Sequence, residues 1–321
     1  MDKIRVFGPV PSRRLGKSIG INNIPPKICS YACVYCQVGR SIKMTSDRQE
    51  YYDPNDLMLE TKEKIKDAES NNEPIDYITI VADGEPTLDA NLGELIDLLK
   101  SLGFKVAVIT NSTLIDKPVV RQDLKKADWV SVKIDALDEN IWRKINRPVK
   151  KIKFDSMLNG ILAFSKEYKG YLATETMLVK DLNDDSESLG KVAEFIKGIN
   201  PSISYLSIPT RPPAEKWVEI PEEQNINRAY QIFCKHSLNT EYLIGYEGNE
   251  FAYTGNIEED ILSITSVHPM REDAIQEYLK KADGDFSMIE KMVQDNKLIV
   301  SEYNNERFYI RKLTNKIVEE K

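Results

Sequence analysis

Residues 77–110 read YITIVADGEPTLDANLGELIDLLKSLGFKVAVIT. An apolar run at 77–82 ends in Asp83-Gly84-Glu85-Pro86, a leucine-rich segment with helical spacing covers 92–102, and a second apolar run closes the stretch at 105–110. This is one strand–helix–strand unit, and the pattern continues. Helices are expected at 57–69, 117–126, 138–146, 154–168, 186–199 and 222–237, and further strands at 129–134, 172–179 and 203–208. Upstream, Gly8, Pro9, Pro11, Gly16, Gly20, Pro25 and Pro26 punctuate the chain into turns that bound a short strand at 18–22. Strands alternating with helices are joined in parallel by helical crossovers. Six such units are too few for a closed eight-unit barrel, so the expected fold is α/β, a partial (β/α)6 barrel of the TIM type. In such architectures the chemistry sits at the carboxyl ends of the strands. Those ends are a cysteine-bearing loop, Asp83–Pro86, Asn111-Ser112, Asp135 and Pro209-Thr210-Arg211.

The pattern changes after residue 255. Helices at 260–267, 271–281 and 285–295 precede two strands at 298–302 and 307–311. That order suggests a second domain, 256–321, of winged-helix-like α+β type, after a first domain spanning 1–255. Its last helix carries Asp285, Glu290 and Asp295 against Lys291, a poor balance for a helix that must enter a DNA groove.

Composition bounds the function. The chain has 321 residues, 41% hydrophobic, with 44 Lys and Arg against 51 Asp and Glu, a net charge of −7. A protein whose main work is coating nucleic acid would be basic. No apolar run approaches the ~20 residues of a membrane span, and the N-terminus lacks a secretory h-region; the cytoplasm is the expected compartment. Three of the four cysteines, Cys29, Cys33 and Cys36, fall within eight residues, and Cys234 stands far off in an apolar helix stripe that suggests a small buried residue. This is no disulfide framework. Clustered soft thiolates select zinc, copper(I) or iron–sulfur clusters. Structural zinc and an electron-carrying [4Fe–4S] cluster both want a fourth ligand nearby. The only histidines are His236 and His268, and neither has partner spacing. A trio would leave one iron open.

Cys29-Ser30-Tyr31-Ala32-Cys33-Val34-Tyr35-Cys36, a CxxxCxYC loop in a βα-repeat chain, resembles the radical S-adenosylmethionine (SAM) superfamily over residues 15–245. The resemblance implies a [4Fe–4S] cluster on Cys29, Cys33 and Cys36 whose open iron binds the amino and carboxyl groups of SAM. It also implies reductive cleavage of SAM to a 5′-deoxyadenosyl radical that abstracts hydrogen from a substrate. Tyr35 matches the aromatic that lies against the adenine. Gly84 and Glu85 match a GGEP motif that holds the SAM ammonium, with Asp83 in place of its first glycine. Asn111 matches a TNG-like element, while Asp135 and Thr174 occupy positions suited to SAM contacts. Arg13, Arg14, Lys133 and Arg211 are substrate candidates, because arginine's planar fork and lysine's charge suit carboxylate or phosphate. An electron donor of flavodoxin or ferredoxin type is implied as a partner.

Within the superfamily, GEPTL at 84–88, IDA at 134–136 and MLVKDLNDD at 177–185 resemble the wyosine-type tRNA-modification enzymes. No cysteine precedes Cys29 for their second cluster. FGPVPSRRLGKSIGIN at 7–22, with its PSRRLG core, and IPTRPP at 208–213 resemble a sister group of iron–sulfur oxidoreductases. The substrate is then a tRNA base, a peptide or a small metabolite. A basic run (Arg143, Lys144, Arg147, Lys150, Lys151, Lys153) is either a solvated face or a surface for nucleic acid or an acidic substrate. The rival class is an iron–sulfur or zinc redox-sensing DNA-binding regulator that uses the winged helix.

Overall fold

The computed structural model describes residues 5–244, 249, 251–267 and 269–312. His268, one of the two histidines without partner spacing, lies outside them. One eight-stranded sheet carries the main body: β1 (Val6–Ser12), β2 (Gly16–Ile21), β3 (Tyr77–Ile80), β4 (Lys105–Thr110), β5 (Trp129–Lys133), β6 (Tyr171–Met177), β7 (Ile203–Ser207) and β8 (Thr240–Leu243). The strands lie side by side in chain order. β1 and β2 form an antiparallel hairpin, and every later neighbour pairs in parallel. The six expected strands are the middle of this sheet, which curls into the partial barrel. It is extended at one edge by β1 and at the other by β8. β1 contains Pro9 and Pro11, which cannot donate to a ladder, so it suits only an edge.

Helices cover the convex face: α1 (Pro54–Ser70), α2 (Leu92–Lys100), α3 (Pro118–Leu124), α4 (Glu139–Asn146), α5 (Phe154–Glu167), α6 (Ser186–Ile199) and α7 (Glu223–Lys235). The side chains of Asp53, Asp138 and Asp185 cap α1, α4 and α6 by accepting first-turn N–H groups. Along each strand, alternate residues go to opposite faces. Ile78, Ile80, Val106, Val108, Val130, Val132, Leu172 and Leu206 meet the helices in the main core. Ala107, Trp129, Ala173, Ile203 and Tyr205 line the concave side together with Leu15 and Leu243. Leu15 belongs to the β1–β2 turn, so that turn tucks into the lumen of the open barrel. Arg13 donates from it to the carbonyl of Leu243 at the far edge.

The C-terminal unit comprises α8 (Ile257–Val267), β9 (Met270–Arg271), α9 (Glu272–Lys281), α10 (Ser287–Gln294), β10 (Leu298–Tyr303) and β11 (Glu306–Arg311), with β11 central in a three-stranded sheet. Its core of Ile261, Ile264, Met270, Ile275, Tyr278 and Tyr309 includes Phe7 and Val10 from β1. Barrel and C-terminal unit therefore share one apolar cluster. The hairpin β10–β11 also reaches the loop after β7, where the Tyr303 hydroxyl donates to the carbonyl of Pro209 at 3.0 Å. Among the described residues no helix is long and apolar enough to cross a membrane.

Candidate active site

The cysteine loop follows β2 and is held at the strand ends. Backbone N–H groups of Ala32 and Val34 donate to the carbonyls of Asn146 and Ile145 at 3.0 and 2.9 Å. The loop thereby satisfies the free carbonyls at the C-terminus of α4. Val149 N–H donates to Ser30 O at 3.0 Å, and Cys36 N–H to Cys33 O at 3.1 Å. On its other side the loop meets Asp83–Pro86. Glu85 N–H donates to Ile28 O at 3.2 Å, and Lys27 N–H to Asp83 O at 2.7 Å. A Cβ on Gly84 would stand 1.7 Å from the carbonyl oxygen of Ile28, so only glycine permits this approach.

Glu85 is fully buried and accepts hydrogen bonds on both oxygens. One oxygen accepts from Thr87 N–H at 3.0 Å, Thr87 Oγ1 at 2.6 Å and Thr110 Oγ1 at 2.6 Å; the other accepts from Asn111 N–H at 2.7 Å. Burial raises its pKa, and these hydrogen bonds oppose the rise. The carboxylate thus fixes the backbone of Asn111, whose Nδ2 donates to Ser30 Oγ at 3.0 Å and approaches Cys29 Sγ at 3.6 Å. On the opposite side, Asn146 Nδ2 approaches Cys33 Sγ at 3.5 Å and donates to an Asp135 carboxylate oxygen at 2.7 Å. The Tyr35 hydroxyl donates to that same oxygen. The other Asp135 oxygen accepts from Met177 N–H at 2.8 Å, and Asn183 Nδ2 donates to the Asp135 carbonyl at 2.8 Å.

Burial pushes the Cys33 thiol up to about 12 and raises those of Cys29 and Cys36, with the neighbouring sulfurs and acids adding to the rise. Three desolvated thiols that sense one another will ionise together only beside a concentrated positive charge. Amide donors already point at two of the sulfurs, an outer arrangement that suits metal-bound thiolates. Among the described residues no three His, Cys, Asp or Glu side chains close around a single ion. The donor set, three soft thiols on one loop with amides directed at two of them, fits an iron–sulfur cluster.

Lys133 lies on the lumen wall beside Tyr35. Its Nζ donates to Glu175 at 2.9 Å and stands 5.0 Å from the Tyr35 ring centroid. Glu175 also pairs with Arg14 and accepts from Ser207 Oγ at 3.1 Å. Despite burial, the two cations hold the Glu175 carboxyl far below the usual carboxylate range. Arg211 donates to Gln37 Oε1 at 2.6 Å, next to Cys36. The structure therefore brings Cys29, Cys33, Cys36, Tyr35, Gly84, Glu85, Asn111 and Asp135 to one mouth, with Arg14, Lys133 and Arg211 along its wall. It does not bring Thr174 or Arg13. Thr174 pairs in register with Val132, on the helix-facing side, and donates to Ser204 Oγ at 3.0 Å. The two-residue period of the strand sends Glu175, not Thr174, into the lumen. Cys234 is exposed rather than buried. His236 binds the carbonyl of Ile232 at the end of α7, a structural place. The basic run is partly neutralised, Arg143 by Glu139, Arg147 by Glu215 and Lys151 by Asp47.

Sequence reading missed Asn146, Asn183 and Gln37. Asn146 had one signal: it falls on the buried stripe of α4 with Trp142 and Ile145, where an unpaired amide would be costly.

A parallel-stranded partial barrel with a three-thiol site at its carboxyl mouth defines an iron–sulfur enzyme architecture. The family model of the radical SAM superfamily matches residues 23–195. The UPF0026 protein MJ1312 of Methanocaldococcus jannaschii is 50% identical over 309 residues, 96% of each chain. A UPF0026 protein of Helicobacter pylori is 38% identical over 223 residues, 68% of this chain and 70% of that one. The solved structure of TYW1 with a lysine–pyruvate adduct bound has a TM-score of 0.54 at 20% identity, covering 69% of this chain and 75% of that one. This structural likeness shows the fold. The chain belongs to the radical SAM superfamily. It is a SAM-dependent enzyme whose cofactors are a [4Fe–4S] cluster and SAM, and it requires an electron donor and a substrate.

Proposed function

We propose that Cys29, Cys33 and Cys36 hold the [4Fe–4S] cluster and that Tyr35, Gly84, Glu85, Asn111 and Asp135 form the SAM pocket around it. The observation that carries this reading is the pair of amides, Asn111 and Asn146, aimed at sulfurs of two of the three thiols from opposite strand ends. When bound, the cluster and SAM supply a 5′-deoxyadenosyl radical that takes a hydrogen atom from the substrate. The chain's own residues place and shield that event. Glu85 acts through Asn111, pinning its backbone. Asp135 orients Tyr35 and, through Asn146, the Cys33 side of the loop. The β1–β2 turn fills the lumen from within, keeping water and stray hydrogen donors from the reaction zone.

Lys133 and Arg211 stand where a carboxylate or phosphate group of the substrate would enter; Glu175 is shared between Lys133 and Arg14, so the three side chains carry one net positive charge. The substrate is thus an anionic small metabolite, peptide or tRNA, and the electron donor is of flavodoxin or ferredoxin type. The C-terminal unit, winged-helix-like in element order, supports the barrel rather than DNA binding: α10 presents Glu290 beside Lys291. Anaerobically reconstituted protein with dithionite and SAM is expected to release 5′-deoxyadenosine. Replacing any of Cys29, Cys33 or Cys36 by Ala should remove iron binding, while Cys234→Ala should not. A colourless protein that leaves SAM intact would refute the reading.

A further inference from the structure

The cysteine loop has an outer side as well as a mouth. Ile28–Cys29 and Lys43–Met44 pair as two short parallel strands, with Met44 in register with Cys29, and Thr45 N–H donates to Cys29 O at 3.0 Å. The pairing puts Met44 one strand spacing, ~4.8 Å, from the backbone of the first thiol-bearing residue. Residues 39–45 follow the loop from its last cysteine back to its first. Gly39 N–H donates to Cys36 O at 3.1 Å, Ser41 Oγ to Tyr31 O at 2.7 Å, and Ile42 N–H to Lys27 O at 2.9 Å. This belt is exposed: Ile42 is 46% and Met44 41% accessible, with Arg40 and Lys43 exposed beside them. Glu215 ties the belt to two neighbouring segments. It pairs with Arg40 at 3.0 Å and Arg147 at 2.6 Å, and its N–H donates to Val34 O at 3.0 Å. Trp217, two residues on, is 51% exposed. One buried acid is thus shared by two exposed arginines, and Lys43 adds a further positive charge.

We infer that this outer face is the docking surface of the electron donor, and that the donor is an acidic one-electron carrier protein. This rests on the functional reading above, since the face matters only if the three thiols hold the cluster. Electron transfer through protein weakens steeply with distance, so a carrier must reach surface that lies next to the thiols. SAM and substrate occupy the mouth, which leaves the belt. Its chemistry fits such a partner: apolar side chains amid positive charge, on a chain whose net charge is −7. The molecule as a whole repels an acidic carrier while this face attracts it, and that contrast orients the encounter. Ile42, Met44 and Trp217 supply the apolar centre of a transient redox interface, a class that buries less than ~1,200 Å². In the transfer one electron leaves the carrier's flavin or iron–sulfur centre, which is oxidised, and enters the cluster, which is reduced. No bond forms or breaks. A nucleic acid is the weaker match, because phosphates gain nothing from exposed Ile42 and Met44.

The test compares reconstituted wild type with the double variant Ile42→Asp, Lys43→Glu and with the conservative variant Lys43→Arg. Bacterial flavodoxin and a plant-type ferredoxin, both acidic, serve as carriers, and saturating dithionite serves as a donor that needs no docking. Calorimetry reads the binding of the oxidised carriers at low and high salt, and 5′-deoxyadenosine release reads SAM cleavage driven by each donor. Wild type should bind a carrier, and more weakly at high salt. The double variant should lose about tenfold or more in carrier affinity and in carrier-driven cleavage, and Lys43→Arg should stay within about twofold of wild type. Iron per chain and dithionite-driven cleavage should stay within about twofold in both variants. The inference falls if the double variant binds carriers as wild type does, or if neither carrier reduces a wild type that dithionite reduces. It falls also if the double variant loses iron or its dithionite-driven rate, which would make the belt structural. A double variant that keeps its carrier affinity and loses affinity for total tRNA would make the face a nucleic-acid surface and overturn it as well. Wild type that holds iron and leaves SAM intact with dithionite would instead overturn the functional reading itself.

Discussion

Asp83 illustrates how burial alone resets a side chain. Desolvation pushes its carboxyl from 3.8 up to about 8, against the opposing charges of Lys27 and Arg311. Between those values the folded apoprotein holds a proton that the unfolded chain has released. Stability contributed at this position therefore falls as pH rises from about 4 to about 8, and is fully lost above that. Thermal unfolding of the apoprotein across this window should show a shallower decline for Asp83→Asn than for wild type, with the gap widening up to about pH 8 and constant beyond. Equal slopes would show that Asp83 is solvated. At this scale the cysteine trio was legible because its three thiols sit within one short loop. Asn146 was not, because the sulfur it approaches lies 113 residues away in sequence.

Among the elements, the junction between the cysteine loop and the β3 loop depends on one missing Cβ. Gly84→Ala places a carbon 1.7 Å from Ile28 O, and the backbone on one side must move. A destabilisation of about 1–3 kcal/mol is expected, together with loss of most bound iron, because the same movement releases Glu85 from Asn111. Thermal midpoint and iron content measure both; a Gly84→Ala protein with wild-type iron would remove this junction from the account. The strand–helix alternation gave away six strands, since buried parallel strands read as apolar runs. Their inward and outward parity was not legible, because both faces are buried. Thr174 and Glu175 could be told apart only by their registers with Val132 and Lys133. β1 was hidden by its own prolines, which mark turns as readily as edge strands.

For the whole molecule, the shared apolar cluster makes the C-terminal unit part of the barrel's stability. Phe7 and Val10 are buried among its residues, and Lys281 pairs with Glu73 on the barrel side. A chain ending at residue 255 would expose both apolar side chains on an edge strand, a surface prone to pairing with other chains. Such a truncation is expected to aggregate on size-exclusion chromatography, and a stable monomer with full iron loading would show that the barrel stands alone. The sequence by itself determined the thiol trio, the alternating α/β order and the presence of a further C-terminal unit, since these rest on spacing and periodicity within short windows. Only the tertiary structure decided what the PSRRLG segment does, which loop carboxylate is hydrogen-bonded, and which lumen side chains meet. Arg13 bonds to an edge 230 residues away, Arg14 to an acid 161 residues away. Contacts of that range are set by how the sheet curls, and no local pattern encodes them.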